Sequence, residues 1–128
     1  MSDLVLAPLA GEYYVNRLDI GSPIPEPVSG ELWSVTRTAE EISVVCDGVL
    51  QRARGEGPWS AFRVAGTLDF SLTGVLHRIL DPLASARISI FALSTFDTDY
   101  ILVPHRVRST AIEVWNTSGT MITVEVDT

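Results

Sequence analysis

Two short polar stretches carry the residue types best suited to holding a small molecule. One is Asp69–Thr73, running on into Gly74; the other is Thr95–Asp99, within STFDTDY. Asp97 and Asp99 stand two residues apart, with Thr95 and Thr98 around them. Carboxylates in that setting take an ammonium, or the cationic head of lysine or arginine, through charge-assisted hydrogen bonds. Phe96 adds an apolar or cation–π wall. In the first stretch Ser71 suits the cap of a helix whose opening residues, Leu72, Thr73 and Gly74, offer unpaired N–H groups to a carboxylate. Gly74 has no side chain, so a ligand or another backbone can come close there. Asp69 reads equally as a turn residue and as a ligand contact. Every one of these positions also has a structural reading, because Asp and Thr are ordinary turn residues and Ser71 can simply cap a helix.

Other chemistry finds less support. His77 and His105 have no cysteine or carboxylate at metal-ligand spacing, so no metal and no cofactor is expected. Asp69, Ser71 and His77 are near in sequence, but nothing orients a nucleophile against a base, and no catalytic residue is assigned. The single cysteine, Cys46, excludes an intrachain disulfide and follows two valines in a strand-like run, where it reads as a buried thiol. The net charge is −7, and the nine basic residues, all arginine, form no run. A nucleic-acid partner wants a basic face, which this chain does not offer, and Trp33, Trp59 and Trp115 read as packing residues.

The elements that position the two stretches follow from periodicity. Ala61–Ala65 reads as a strand with Phe62 and Val64 on one face. A helix is expected over Leu72–Ala86, with Ile79, Leu80 and Leu83 in its apolar stripe and a kink or early end at Pro82. Ile88–Ser94 and Tyr100–Val103 read as a hairpin with Thr95–Asp99 at its tip. A second helix starts at Pro104, carries Val107, Ala111, Val114 and Trp115, and stops at Gly119. Met121–Val126 then alternates as a strand. The order β-α-β-β-α-β is that of a ferredoxin-like α+β sandwich with an antiparallel sheet and both helices on one face. Phe91 and Leu93 make the other face apolar as well, which calls for a cover: the N-terminal half, a second subunit, or both.

Residues 1–58 read as a reduced, β-rich half and 59–128 as the fuller domain. Glu12–Leu18, Leu32–Thr36 and Ile42–Cys46 are expected strands, and the proline-bearing stretch Ile20–Gly30 a rigid loop. Thr38 and Glu41 fit either a capping box or a polar turn. Gly48–Pro58 reads as an exposed connector. No apolar run reaches the roughly eighteen residues of a membrane span, and Met1-Ser2-Asp3 lacks the basic start of a secretory signal. A cytoplasmic protein with no membrane partner is expected.

The segments LWSVTRTAEEISVVC, FRVAGTLDFSLTGVL and ISIFALSTFDTDYILVP resemble the small bacterial ACT-domain proteins, the group related to the CASTOR amino-acid sensors and to the regulatory domains of aspartate kinases. The likeness covers Tyr13 to Val126. It implies a tandem ACT-like fold that is regulatory and not an enzyme, with a small ligand, usually an amino acid, held at an interface between ACT units. It places that ligand against Leu68–Val75, with Gly74 where the family favours glycine, and gives Ser94–Asp99 as a second wall. Carried onto this chain, the site is Asp69, Ser71, Leu72, Thr73, Gly74, Thr95, Phe96, Asp97 and Asp99. A homo-oligomer, as a dimer, and a regulated protein partner are implied too. The helix after Pro104 departs from the family by opening on His105-Arg106 instead of acidic residues, and by its run Val114-Trp115-Asn116. The alternative is a module of the same fold that oligomerises or docks a partner without ligand. An acylphosphatase-like hydrolase shares the fold class, but no phosphate-cradling loop is present.

Overall fold

The computed structural model describes residues 4–27, 30–65, 74–118 and 122–125. In chain order the elements are β1 (Leu4–Pro8), β2 (Tyr13–Leu18), β3 (Ser34–Arg37), β4 (Ile42–Cys46), β5 (Arg54–Val64), α1 (Val75–Ser85), β6 (Phe91–Ser94), β7 (Asp99–Pro104), a 3-10 turn (His105–Val107), α2 (Arg108–Thr117) and β8 (Ile122–Val124). The chain divides into two compact units, Ala10–Trp59 and Met1–Leu9 with Ser60–Thr128. Strand β5 belongs to both: its first residues pair in the former and its last in the latter.

In the unit of Ser60–Thr128, the strand order is β8-β1-β5-β7-β6. The elements from β5 to β8 keep the expected β-α-β-β-α-β order. The first strand of the chain is the addition. Leu4–Pro8, part of a stretch, Leu4–Ala10, that reads in sequence only as a short apolar patch, lies between β5 and β8, antiparallel to one and parallel to the other. The sheet is therefore mixed and not wholly antiparallel. Leu4 and Leu6 put their side chains on the face that Phe62, Val64, Ile101, Val103, Ile122 and Val124 share, and Ile79 and Leu83 of α1 with Ala111 and Trp115 of α2 cover it. The Trp115 indole meets Phe62 edge-on at 4.9 Å and donates its N–H to the Ile79 carbonyl at 2.9 Å. That bond satisfies the one polar atom of a fully buried ring, so the tryptophan can fill the space between the helices at no desolvation cost.

Both helices start later than the sequence suggests. The first begins at Val75 with Gly74 at its N-cap, in the left-handed conformation (φ +80°), and no side chain caps it. The expected cap, Ser71, lies outside the described residues, and the opening turn of the helix is Val75, Leu76 and His77. Three competent cap residues precede Gly74 in sequence, but the helix is entered at the residue type that takes positive φ most readily. Pro82 sits inside α1, and the helix ends three residues on. There the Ile88 N–H bonds the Leu83 carbonyl and the Arg87 N–H bonds that of Ala84, a Schellman closure with Arg87 at φ +60° where glycine is usual. The second helix is preceded by the 3-10 turn, so Pro104 closes β7 and His105 opens the turn instead of the α-helix. The hairpin strand before the tip is shorter than Ile88–Ser94, starting at Phe91. Gly119, the expected helix stop, lies outside the described residues.

In the unit of residues 10–59, antiparallel pairing gives the order β3-β4-β2-β5. One face is apolar: Leu18, Ile42, Val44 and Cys46, with Trp33, Val35, Leu50 and Ala53 against them. Asn16 is fully buried on this strand pair and saturates its amide, donating to the Gly48 carbonyl at 2.9 Å and accepting the Leu50 N–H at 3.0 Å. It thereby pins the chain that leaves β4. The segment Gly48–Pro58, expected as a connector, is a strand from Arg54 onward. Its composition is that of a loop, but β2 offers an unpaired edge, and ladder hydrogen bonds outweigh weak strand propensity. The extra residue that β5 carries between the pairs Tyr13↔Trp59 and Val15↔Glu56 is a bulge at Gly57 and Pro58. Thr38 and Glu41 form the polar turn: the Thr38 N–H bonds the Glu41 carbonyl at 3.0 Å, and the Thr38 hydroxyl accepts from the N–H groups of Glu40 and Glu41.

Candidate functional site

The hairpin between β6 and β7 closes on itself. The Thr95 N–H donates to the Thr98 carbonyl at 2.8 Å, and the Thr98 N–H returns a bond to the Thr95 hydroxyl at 3.2 Å. The Ser94 hydroxyl donates to Oδ1 of Asp99, the strand position opposite it. Threonine and aspartate thus act here as turn residues do, tying backbone to side chain. The same bonds fix what the turn presents outward. Phe96 is 81% exposed, the most exposed of the large apolar side chains among the described residues, and Asp97 is exposed beside it.

A buried hydrogen bond docks this tip. The Thr98 side chain, only 8% exposed, donates from Oγ1 to the Val64 carbonyl at 2.8 Å. The Arg63 guanidinium also donates to that oxygen, at 3.2 Å. Val64 is the last residue of β5, so the tip is fastened to the end of that strand. Of the site residues expected from sequence, Thr95, Phe96, Asp97 and Asp99 are brought together on the tip. Gly74 is exposed at the head of α1, and a Cβ built there meets nothing within 4 Å. Asp69, Ser71, Leu72 and Thr73 lie outside the described residues. Thr98 and Arg63 are what sequence reasoning missed as determinants of the tip's position. Their bonds to Val64 link residues 34 and 1 apart, and neither spacing has a sequence signature.

Among the described residues no three His, Cys, Asp or Glu side chains gather as metal ligands would. One Ser–His contact does exist: Ser60 Oγ lies 2.7 Å from His105 Nδ1. Ser60 is 3% exposed and points, like Phe62 and Val64 on the same strand, to the helix-covered face. Among the described residues no helix is long and apolar enough to cross a membrane.

Comparison with known proteins is informative along most of the chain. A model of the ACT-domain family matches residues 54–115, and one for an N-terminal domain matches 11–48. The human protein named cytosolic arginine sensor for mTORC1 subunit 1 is 33% identical over 107 residues, which are 75% of this chain and 32% of that one. The human putative protein CASTOR3P is 33% identical over 91 residues, 59% of this chain and 56% of its own. The chain thus spans about a third of the arginine sensor's length. A crystal structure of a protein from Agobacterium tumefaciens superposes with a TM-score of 0.86 at 30% identity, covering all of this chain and 96% of that one. A Vibrio cholerae protein of unknown function shares the fold, with a TM-score of 0.68 at 16% identity over 88% of this chain and 87% of its own.

Proposed function

The chain belongs to the ACT-domain family, and from that premise we propose that it is a non-catalytic regulatory module that binds a free amino acid beside the Thr95–Asp99 tip. The observation that supports this most directly is the way the tip is built. Its backbone and threonines satisfy one another, Thr98 fastens it to β5, and Asp97 is left exposed next to Phe96. A carboxylate and an aromatic face on a braced loop suit a cationic head, since both attract it and neither has to be reorganised first. Arginine is the first ligand to try, because a relative carries that specificity in its name. In this reading Gly74 with Asp69, Ser71, Leu72 and Thr73 forms the opposing wall, Asp99 steadies the tip through Ser94, and a second ACT unit completes the pocket. The protein acts in the cytoplasm and reports occupancy to a protein partner by contact.

Calorimetric titration with the twenty amino acids tests the reading, with arginine and lysine first. Binding weakened about tenfold or more by Asp97→Ala, the loss of one charge-assisted contact, is the expected result. Silence across the set at about 10 mM, weaker than any affinity of use to a sensor of metabolite levels, removes the ligand claim.

One observation favours a second reading, assembly without ligand. Among the described residues β6 pairs with β7 alone, which leaves its outer edge open, and Phe91 and Leu93 alternate along it half-buried. An open edge with apolar side chains is a site for strand addition by a second copy. Light scattering decides this point, because a strict monomer at high concentration excludes it.

A further inference from the structure

The face of the residue 10–59 sheet opposite the Leu18, Ile42, Val44 and Cys46 cluster carries a row of polar side chains that the tip does not involve. Register places Arg54, Arg17, Ser43 and Thr36 directly opposite one another across four strands, so all four project from one face. In the adjoining row Glu56 stands opposite Val15. Arg17, Arg54, Ser43, Glu41, Glu56 and Val15 line one cleft of about 490 Å³. Two arginines directly opposite on neighbouring strands repel, and sheets disfavour that pairing. Here it uses two of only nine cations in a chain of net charge −7. Arg17 is held, donating to Asp19 Oδ1 at 3.0 Å and to the Glu40 carbonyl at 3.4 Å. Among the described residues, the side chains of Arg54, Glu41 and Glu56 enter no hydrogen bond or ion pair.

We propose that this cleft is a binding site for a small zwitterion, an α-amino acid whose carboxylate lies across Arg54 and Arg17 and whose ammonium meets Glu56. The charge pattern selects that class. The cleft holds two positive and two negative groups, so a bare anion meets the glutamates and a bare cation meets the arginines. Only a ligand carrying both charges satisfies both sets. The spacing suits it as well: Arg54 and Glu56 are two residues apart on one face, a separation of about 6.8 Å along the strand. One α-amino acid with a charge-assisted hydrogen bond at each end spans that gap. The ligand also removes the Arg17–Arg54 repulsion by placing a carboxylate between them. This site shares no residue with the tip and does not depend on it.

The test is an amide-resolved NMR titration of the full chain with glycine, which has no side chain for the tip to select. Amide shifts are expected at Arg17, Ser43, Arg54, Gly55 and Glu56 and not at residues 95–99. Arg54→Ala and Glu56→Gln are each expected to weaken glycine about tenfold, with acetate and methylamine, each bearing one charge, weaker by a similar factor. Both substituted side chains are exposed, so folding is preserved, and the dispersion of the amide spectrum verifies it. The proposal is overturned by an absence of shifts in this row up to about 50 mM glycine, by unchanged affinity in both variants, or by acetate binding as well as glycine does. Shifts confined to residues 95–99 overturn it too, and leave the tip reading standing; failure of arginine at the tip with success of glycine here does the reverse.

Discussion

Replacing Thr98 by valine removes one hydroxyl and almost nothing else, and the structure fixes what that should cost. The lost bond is Thr98 Oγ1 to the Val64 carbonyl, 2.8 Å long and buried. The side chain keeps its shape, and the backbone bonds between Thr95 and Thr98 persist. An acceptor stranded without a donor costs about 1–3 kcal/mol, whereas the loss of one of two bonds costs about 1 kcal/mol. The Val64 oxygen still has the Arg63 guanidinium at 3.2 Å, so the lower figure applies. Thr98→Val should therefore lower stability by about 1 kcal/mol, a fall in Tm of roughly 3–6 °C for a chain of this size. Arg63→Leu alone should cost about 0.5–1 kcal/mol.

The double variant is the decisive measurement. With both side-chain donors gone the oxygen keeps no side-chain partner among the described residues, and the loss should exceed the sum of the singles by about 1 kcal/mol. Urea unfolding followed by far-UV circular dichroism, with unchanged m-values, reads all four corners of the cycle. Additivity within about 0.5 kcal/mol would refute the reasoning, because it would mean the two donors do not share an acceptor. Thr98→Ser restores the hydroxyl and should recover most of the loss. The same series probes the tip: Thr98→Val unfastens it from β5 and should weaken any ligand that Asp97 holds, while Thr98→Ser should not.

Gly57→Ala should destabilise by about 2 kcal/mol or more. Its φ is +153°, and a Cβ would sit 2.7 Å from a Tyr14 ring carbon and 2.8 Å from the Tyr13 carbonyl, so a rigid backbone atom has to move; chemical denaturation reads the loss. Arg87→Gly should act the other way, raising stability by about 0.5–1 kcal/mol, since glycine takes the left-handed conformation of the helix stop without strain. Tyr13 links stability to alkaline pH. Burial, partly opposed by backbone hydrogen bonds from Glu31 and Leu32, raises its pKa above the ordinary value near 10. The unfolded chain therefore ionises first: the contribution is complete below about pH 10 and is lost as pH rises through the folded value. Tyr13→Phe should flatten that alkaline decline while costing stability at neutral pH, where the hydroxyl accepts the Glu31 N–H.

The order of elements from β5 to β8 was legible because their apolar positions recur at one period only. Ile79 with Leu83, and Ala111 with Trp115, are four apart on helices, while Ile122 and Val124 are two apart on a strand. What was not legible depends on partners far along the chain. Leu4–Pro8 is five apolar residues long and becomes a strand because β5 and β8 leave a place between them. Arg54–Pro58 has the glycines, proline and charges of a loop and is paired because β2 has a free edge. At the candidate site the tip's residues were legible as a polar turn, but its docking through Thr98 was not. The start of α1 was misread for a local reason: Ser71 matches the cap statistics, while the backbone turns at Gly74.

Burial separates the two polar arrangements that suggest function in the unit of residues 60–128. Ser60 and His105 stand 2.7 Å apart, the spacing of a serine and its base. A nucleophile must also reach a substrate, and Ser60 is 3% exposed on the strand face that the helices cover. The pair is therefore a brace that ties the turn after β7 to β5. Asp97 has the opposite character, exposed at the hairpin tip. Two measurements divide these roles. Ser60→Ala should cost about 1 kcal/mol of stability, the worth of one hydrogen bond, and leave ligand affinity at the tip unchanged. Asp97→Ala should leave stability within about 0.5 kcal/mol, as exposed substitutions do, and weaken the ligand. Labelling of Ser60 by a fluorophosphonate in the folded protein would show a reachable, activated hydroxyl and refute the structural assignment of the pair.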